Sequence, residues 1–422
     1  MSVLRAISRL LLGLTFLFSG FVKIIDPVGV GLIIEEYLKI AGFDSFPFLY
    51  QTFGVLLSGS EMLLGITVLV GLRMRLSCIT IFGYLSFFTI ITLLLAIFDP
   101  ISDCGCFGEA VKLTNWQTFY KNLILMIFAV ILLLQRGKFI PVAPAKWEWW
   151  FIGGFSLFIA FLSLYSFRNL PMIDFMEFRV GTNIKERLQF ESRKDTRSFE
   201  TILIYSKEGK NYEFTIDNIP DSSYTFVDSK TRDISKSGVR LPLDFAIADE
   251  QGSYVTDSLL SLKRPLFVAV SPFLETLGEK GFNRLISLND SLKVRNIHFV
   301  MLTGSASGNI SDAVSSYNIE FDIYNADYKT LYAFNRSNGG VVYLNQGVVI
   351  SKWSSHFVPK IEIDKVINED PELVWAKARI RQHLSTELTA FLLIVILAVM
   401  RYIMRIVYKH KERDENREEQ ES

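Results

Sequence analysis

Two cysteines separated by one glycine are the side chains of this chain best suited to chemistry. They lie between two long apolar runs, in the sequence Asp103-Cys104-Gly105-Cys106-Phe107-Gly108. Glycine permits the tight turn that brings two sulfur atoms together, and a disulfide between such close cysteines is strained and easily exchanged. Three interpretations stay open: a redox dithiol, a disulfide that only shapes the loop, and half of a metal site.

Charged residues inside apolar runs are the second candidates for chemistry. Glu61 lies within a long apolar run, and an ionisable group in a membrane is a functional candidate by default. Lys23 and Lys121 are its candidate partners, and a Glu61–Lys121 pair would lie inside a helical bundle below the cysteine loop. Such a pair either fixes the helix packing or handles protons and substrate. Asp26 and Asp99 precede prolines and are predicted to form turns or caps.

The remaining cysteine and the histidines give little support for a metal centre. We expect Cys78 to be a buried apolar residue, because it starts another apolar run far from the cysteine loop. The outer loops contain no histidine that could complete a zinc shell. His298, His356 and His383 are scattered along the polar part of the chain, so we predict no metal site.

The apolar runs themselves predict a membrane protein. Half of the 422 residues are hydrophobic, and a helix of about 20 apolar residues spans a bilayer. Six spans are predicted near residues 8–25, 51–71, 76–98, 116–134, 148–166 and 388–408. The net charge of zero and the lack of a basic, aromatic-rich stripe give no indication of nucleic-acid binding.

Lysine and arginine predict the orientation in the bilayer, because they accumulate in cytoplasmic loops. One set of span ends carries Arg5, Arg9, Arg73, Arg75, Arg136, Lys138, Lys146, Arg401, Arg405, Lys409, Lys411 and Arg413. The opposite short loops carry only Lys23, Lys39 and Lys112. Both termini are therefore expected in the cytoplasm, and residues 168–387 are expected on the opposite side of the membrane.

The exported segment has two patterns. Residues 168–238 contain short alternating runs bounded by turn signals, which predict a small β-rich segment. Residues 239–368 alternate buried strands with helical stretches, which predicts a sheet with helices on both faces. A charged helix at 369–387 is expected at the membrane interface, before the sixth span at 388–408 and a charged cytoplasmic tail at 409–422.

The second of these patterns resembles the thioredoxin-like fold. The matching runs are Leu243-Asp244-Phe245-Ala246-Ile247, Leu266-Phe267-Val268-Ala269-Val270-Ser271 and Val341-Val342-Tyr343-Leu344-Asn345-Gln346-Gly347. Working members carry a Cys-x-x-Cys pair where this chain has Ser271-Pro272-Phe273-Leu274-Glu275. Because disulfide exchange requires a thiolate, this domain has no such chemistry of its own, although its groove could bind a peptide or a partner.

Residues 1–137 resemble the DoxX-like family, in the branch named for the methylamine utilisation protein MauE. The resemblance rests on Phe18-Ser19-Gly20-Phe21-Val22-Lys23, on Glu61-Met62-Leu63-Leu64-Gly65, on the Cys-Gly-Cys-Phe-Gly loop and on Lys121-Asn122. It implies a four-helix bundle in the inner membrane of a bacterium, with residues 168–387 in the periplasm, and a link to extracytoplasmic thiol or quinone redox. The fifth span, at 147–167, follows from the apolar runs alone. The expected fold is thus a membrane all-α bundle with further spans that flank an α/β thioredoxin-like domain.

Two functions are consistent with this organisation. In the first, Cys104 and Cys106 exchange with a periplasmic thiol protein or a membrane quinone, while Glu61 and Lys121 handle protons or polarise a carbonyl. In the second, the chain is a non-enzymatic scaffold in the lipid bilayer whose thioredoxin-like domain holds an envelope assembly partner. The missing cysteines of the soluble domain favour the second. A transporter is disfavoured, because no inverted repeat is evident.

Overall fold

The computed structural model describes residues 2–40, 42, 47–101, 104–188, 199–207, 210–215, 225–233 and 245–380, together with scattered residues between 384 and 406. The described chain divides into two units. Residues 185–242 form one, and the flanking residues on both sides form the other. The sixth predicted span, the end of the interfacial helix and the charged tail fall wholly or mostly outside the described residues.

The N-terminal part of the larger unit is helical. Its helices are α1 (Ser2–Ile25), α2 (Pro27–Ile40), α3 (Pro47–Val70), α4 (Met74–Phe98), α5 (Asn115–Leu134) and α6 (Ala145–Arg168). All but α2 are long and apolar enough to cross a membrane. Their outward faces carry exposed apolar side chains such as Phe87, Ile127 and Leu157, which suits contact with lipid. The chain is a membrane protein, and five of its six predicted spans are found in the described residues.

Close packing of α1 against α3 organises this bundle. Gly20 and Gly65 stand where a β-carbon would collide with the backbone of Met62 and Leu17 on the facing helix. Small residues permit such close approach of membrane helices, where dispersion contacts replace the hydrophobic effect. Helix α4 packs mainly on α5, and α6 lies against α3 and α1. The four helices α1, α3, α4 and α5 therefore form the bundle that was predicted.

Helix α2 is a difference from the sequence-based expectation, which left residues 26–50 as a loop. Pro27 takes the first helical position, where a missing N–H costs nothing. The Asp26 carboxylate accepts a hydrogen bond from the Gly29 N–H at 3.1 Å and so caps the helix. The helix lies against α3, and its outward face carries Glu35, Glu36 and Lys39.

The C-terminal part of the larger unit is an α/β domain. Its strands are β4 (Ile247–Ala248), β5 (Leu266–Ser271), β6 (His298–Thr303), β7 (Asp322–Ala326), β8 (Gly340–Asn345) and β9 (Val348–Trp353). Its helices are α7 (Thr256–Leu260), α8 (Gly278–Lys293), α9 (Ser307–Tyr317), α10 (Tyr328–Phe334) and α11 (Ile363–Asn368). A further helical stretch covers 371–380.

Strand order defines this domain as thioredoxin-like. The sheet runs β4-β7-β6-β5-β8-β9, with β5, β6 and β7 parallel and the hairpin β8–β9 antiparallel beside β5. The central strands are buried on both faces, and α8 packs its apolar side on them through Phe282, Leu285 and Leu292. The predicted thioredoxin-like fold is confirmed, whereas β7 and α10 were not predicted.

The smaller unit contains an antiparallel three-stranded sheet in the order β2-β1-β3. Its strands are β1 (Phe199–Lys207), β2 (Lys210–Thr215) and β3 (Thr225–Asp233). Lys207 at the end of β1 lies opposite Lys210 at the start of β2. The predicted β-rich segment begins at 168, whereas Gly181 and Ile184 donate hydrogen bonds to the carbonyl oxygens of Val349 and Gly347 in the larger unit.

Candidate functional site

The loop that carries the cysteines is anchored at both ends. Asp99 follows α4 in the left-handed conformation, and its carboxylate accepts a hydrogen bond from Asn115 Nδ2 at 2.8 Å. At the other end, Thr114 and Gln117 form a capping box at the start of α5. Asp99 is therefore a cap residue, as predicted. These contacts stabilise both helix ends, so the loop starts and ends at defined positions.

The turn at Gly105 brings the two sulfur atoms together. Gly105 has a φ of +65°, a backbone conformation that residues other than glycine rarely adopt. The Sγ atoms of Cys104 and Cys106 lie 2.8 Å apart as thiols, and the Thr118 hydroxyl lies 3.5 Å from Cys104 Sγ. Cys104 is buried at 8 % exposure, whereas Cys106 is partly exposed. The two residues therefore differ in overall exposure, although burial raises the pKa of both sulfur atoms.

The two thiols also differ in acidity. The hydrogen bond with Cys106 lowers the pKa of Cys104 to about 6; burial opposes this effect, and Thr118 and the positive charge of Lys121 add to it. The pKa of Cys106 lies well above its ordinary value, first because of Cys104 and then because of burial. Since the thiolate is the reactive form of cysteine, Cys104 is the sulfur that carries negative charge near neutral pH.

Glu61 pairs with Lys23 on α1. Lys23 Nζ donates to both Glu61 oxygens, at 2.9 and 2.7 Å, and both side chains are buried. The Ser19 hydroxyl lies 2.7 Å from Glu61 Oε2 and 2.7 Å from the Cys106 carbonyl oxygen. The ion pair is thereby connected to the cysteine loop through one serine.

Of the two candidate partners of Glu61, Lys23 forms the contact and Lys121 does not. Lys121 Nζ instead lies 4.4 Å from the centroid of the Phe107 ring, directly after the cysteine turn. A cation over an aromatic face is attracted by the ring quadrupole. Lys121 is therefore positioned by the cysteine loop, while α1 supplies the counter-ion of Glu61.

A cavity of about 330 Å³ joins these groups. Cys104, Cys106, Lys121 and the Lys23–Glu61 pair line its polar end. The rest of its wall is mainly apolar and aromatic and includes Phe16, Phe53, Tyr84, Phe87, Phe88, Ile33 and Ile91. Phe53 and Phe87 are 50 % and 58 % exposed on spanning helices, so this side of the cavity reaches the lipid-facing surface. Its size lies in the range of small-molecule sites, about 300–1,000 Å³.

Other sequence candidates lie away from this site. Cys78 is buried at 1 % exposure among apolar residues of α1, α3, α4 and α5, as predicted. His356 lies in the soluble domain beside Arg168. Among the described residues, no three side chains of metal-ligating types come together. The cavity therefore remains the place where chemically competent side chains converge.

In the loop where working thioredoxin-like proteins carry two thiols, the soluble domain has a network of polar side chains. Ser271 Oγ donates to Asn338 Oδ1 at 2.7 Å, and Asn338 Nδ2 donates to Thr276 Oγ1 at 2.8 Å. Phe273 stacks obliquely against Tyr328 and Tyr332. These contacts hold the loop in place without any group capable of redox chemistry.

Comparison with known protein families gives a match for the helical bundle. Residues 1–135 match the family described as methylamine utilisation protein MauE. This part of the chain is a MauE-type membrane domain. Its end agrees with the boundary near residue 137 expected from sequence, and the cysteine turn, Glu61 and Lys121 all lie within the MauE-type domain. Residues 199–236 match a family described as a domain of unknown function, DUF8463.

The comparison with solved structures found a crystal structure of a secreted Mycobacterium tuberculosis disulfide oxidoreductase homologous to E. coli DsbE. The two chains are 16 % identical, with a TM-score of 0.22, and the match covers 28 % of this chain and 96 % of that one. No curated protein matches the sequence. Strand order and helix placement, described above, define the thioredoxin-like domain that follows the MauE-type domain.

Sequence reasoning missed three contributors to the site of the MauE-type domain. Ser19 belongs to a family motif that assigns it no role, Thr118 lies outside every motif, and the sequence predicts a loop where α2 lies. The spacing of Ser19 and Lys23, four residues apart on one helix face, was a usable signal for a shared contact with Glu61. Thr118 likewise follows the cap residue Thr114 by one helical turn.

Proposed function

We propose that the chain is a membrane-bound thiol–disulfide oxidoreductase whose exchange site is the Cys104–Cys106 pair. The observation that carries the proposal is the pair itself, two sulfur atoms 2.8 Å apart at the polar end of an apolar cavity. A disulfide bond is about 2.05 Å long, so a small movement of the loop is enough to form it. The MauE-type bundle supports a membrane-linked role in redox chemistry or protein maturation.

The first step is the oxidation of a partner dithiol. A partner thiolate attacks Cys106 Sγ of the disulfide, and Cys104 leaves as a thiolate. A leaving thiol of low pKa leaves faster, which fits the lowered pKa of Cys104. The partner's second thiolate then attacks its own mixed disulfide, so the partner gains a disulfide and Cys106 regains a thiol by taking up a proton.

The second step re-forms the Cys104–Cys106 disulfide. It releases two electrons and the proton of the Cys106 thiol, and an acceptor must take them up. A membrane quinone is the acceptor class that we propose, because the cavity is apolar, is rich in aromatic side chains and reaches the lipid-facing surface. A quinone bound there would accept two electrons and two protons.

The charged side chains would supply the second proton that the quinone takes up and would stabilise the negative charge of the Cys104 thiolate. Lys121, Lys23 and Glu61 all line the cavity, and Ser19 connects Glu61 to the cysteine loop. We assign Lys121 to stabilising the Cys104 thiolate and to donating a hydrogen bond to a carbonyl oxygen in the cavity. Glu61, held by Lys23, is assigned to proton transfer at the same end.

The proposal includes a location. The lysine and arginine distribution supports an inner-membrane protein with cytoplasmic termini and with residues 168–387 in the periplasm. An oxidising compartment is also the one in which disulfides persist. The thioredoxin-like domain would there recognise the periplasmic thiol protein.

Single cysteine replacements test the exchange site. In Cys104→Ser the attacked sulfur of Cys106 remains without its resolving partner, so reducible mixed disulfides with extracytoplasmic proteins should accumulate in non-reducing gels. Cys106→Ser should give several-fold fewer, because in the proposed exchange Cys104 is the leaving sulfur and not the sulfur that joins the partner. Cys78→Ala is the control and should give none.

A non-enzymatic scaffold is the second candidate, favoured by the polar network that fills the thioredoxin loop. In that case the soluble domain would hold an envelope partner without redox chemistry. Replacing both Cys104 and Cys106 by serine separates the two functions. Normal protein level with retained cellular function would support the scaffold, whereas normal level with lost function supports the oxidoreductase.

A further inference from the structure

Helix α2 covers the cysteine pair from one side. Its inner face lines the cavity with Val30, Ile33, Ile34, Tyr37 and Leu38. The Tyr37 hydroxyl donates to the Cys104 carbonyl oxygen at 3.2 Å. A β-carbon added at Gly105 would collide with the Ile33 side chain, so the helix and the turn are in close contact. Access to Cys104 therefore depends on where α2 lies.

The soluble domain holds the opposite side of the same helix. Lys329 Nζ lies 2.6 Å from Glu36 Oε1, and Lys39 Nζ lies 5.9 Å from the centroid of the Tyr328 ring. At the N-terminal end of α2, Arg336 Nη2 and Nε donate to Asp26 Oδ2 at 2.9 and 3.2 Å. The helix is thus bound at both ends to residues of or next to α10.

The contact between Arg336 and Asp26 is the strongest of these. The Arg336 side chain is almost fully buried, as is that of Asp26, and it also donates to the Tyr332 carbonyl oxygen at 3.2 Å. Its Nη2 lies 3.9 Å from Glu109 Oε1, three residues beyond Cys106. A buried guanidinium must be paired, since removing one partner of such a pair is costly. One side chain of the soluble domain therefore contacts both α2 and the cysteine loop.

We propose that Arg336 is a positioning residue for the Cys104–Cys106 pair: through Asp26 it keeps α2 across the cysteine loop, so that the soluble domain controls access to the thiols. The control of redox exchange rests on the proposed function, whereas the contacts that position α2 do not depend on it. A thioredoxin-like domain without cysteines thereby acts on the chemistry of the membrane domain. A thiol partner bound to the soluble domain would shift α2 by competing for these contacts.

Alkylation of Cys104 in the full-length, reduced protein tests the proposal. Asp26→Asn removes the charge but keeps a side chain that caps α2 equally well, so it isolates the contact with Arg336. In Asp26→Asn and in Arg336→Gln, the plateau rate of Cys104 alkylation by iodoacetamide at high pH should rise roughly tenfold or more, because a lost buried pair favours the open position of α2. The double exchange Asp26→Arg with Arg336→Asp should restore slow alkylation in part.

Arg295→Gln is the matched control. Arg295 forms a two-pronged ion pair with Asp364 in the soluble domain, away from α2, so its loss should leave the alkylation rate of Cys104 unchanged. Alkylation rates of Asp26→Asn equal to those of Arg295→Gln would overturn the proposal. Should Arg336→Gln fail to accumulate, Asp26→Asn and the charge exchange still decide it.

The midpoint potential of the pair, measured on the same variants, keeps the two proposals distinguishable. Faster alkylation in Asp26→Asn, with a wild-type pair that stays reduced and forms no disulfide at any accessible potential, supports the positioning role and overturns the proposed function. A reversibly titrating pair with unchanged alkylation in Asp26→Asn does the reverse.

Discussion

At the residue scale, the asymmetry between two adjacent thiols decides how the site would react. Cys104 is buried and acidic, and Cys106 is partly exposed with a raised pKa. The hydrogen bond between the two sulfur atoms is the largest cause of both pKa shifts; Thr118 and Lys121 add to the lowering at Cys104, and burial adds to the rise at Cys106. A pair of this kind combines a stable leaving thiolate, Cys104, with a second sulfur that can carry the mixed disulfide.

Removing the neighbour of Cys104 should therefore change its titration. In the reduced wild type, alkylation of Cys104 should rise with pH through about 6 and then level off, because only the thiolate reacts. In Cys106→Ala the midpoint moves upward, and the rate at pH 7 falls roughly thirtyfold, since a thiol of pKa about 6 is mostly ionised there and an ordinary thiol only a few per cent. Thr118→Val should give a smaller upward shift. Peptide mass spectrometry over a pH series measures both.

The control is Cys78→Ala, which removes a buried cysteine outside the cavity and should leave the pH profile intact. An unchanged midpoint in Cys106→Ala would contradict the assigned origin of the Cys104 acidity.

The buried Lys23–Glu61 pair supports a second residue-scale prediction. Glu61→Gln leaves Lys23 buried without its counter-ion and should lower stability by about 3–5 kcal/mol, seen as a lower melting temperature in detergent. The double variant Lys23→Met with Glu61→Leu should recover most of that stability, because apolar replacements of a buried pair are often neutral. Its disulfide turnover should still be lost if Glu61 transfers protons. A stable double variant with full turnover would show that the Lys23–Glu61 pair serves helix packing and not proton transfer.

At the element scale, helix α2 packs directly against the cysteine turn. Ile33 lies where a β-carbon of residue 105 would be, and Tyr37 binds the carbonyl oxygen of Cys104. The bundle supplies the other side through Thr118 on α5 and Ser19 on α1. Three helices therefore fix a turn that has no regular structure of its own.

Two glycines of the loop offer a matched pair of variants. Gly105 and Gly108 both have positive φ, of +65° and +52°, so alanine is strained at either by about 1–2 kcal/mol. Only at residue 105 would the new methyl meet Ile33; nothing lies within 4 Å at residue 108. Gly105→Ala should therefore increase Cys104 alkylation far more than Gly108→Ala, and adding Ile33→Ala to Gly105→Ala should reverse much of the increase. Equal effects of the two alanines would disprove the α2 contact.

The sequence predicted the spanning helices and the central strands because long apolar runs and buried strands are strong local signals. It did not predict α2, since a 14-residue helix with Glu35, Glu36 and Lys39 on its outward face is too short and too charged to read as a span. It also left the partner of Glu61 undecided. The depth of a side chain in a bundle depends on which helices pack together, and only the glycine contacts between α1 and α3 bring Lys23 to Glu61.

At the scale of the whole molecule, the chain places the cysteine turn and a cysteine-free thioredoxin-like domain at the same end of a membrane bundle. Arg336 and Lys329 bridge them within the larger unit. The chain could be divided into domains from its sequence, but these long-range contacts could not be predicted, because they join residues about 300 positions apart.

The proposed topology predicts a labelling pattern in intact cells. In a background without Cys78, Cys104 and Cys106, a membrane-impermeant maleimide should label Glu279→Cys in the soluble domain. It should not label Gly137→Cys, between α5 and α6, until the membrane is permeabilised, because basic loops stay cytoplasmic. Both positions are exposed. The opposite pattern would invert the orientation and place the cysteine turn in the reducing cytoplasm.

The redox state of Cys104 and Cys106 tests the central claim most directly. The pair would be trapped in intact cells with a mass-shifting thiol reagent and then titrated in the purified full-length protein against graded redox buffers. A two-electron transition that is reversible and lies near the potentials of disulfide exchange proteins, between about −120 and −270 mV, is the predicted result. A pair that stays oxidised at every accessible potential, or that never forms a disulfide, would contradict the account and leave the scaffold as the function.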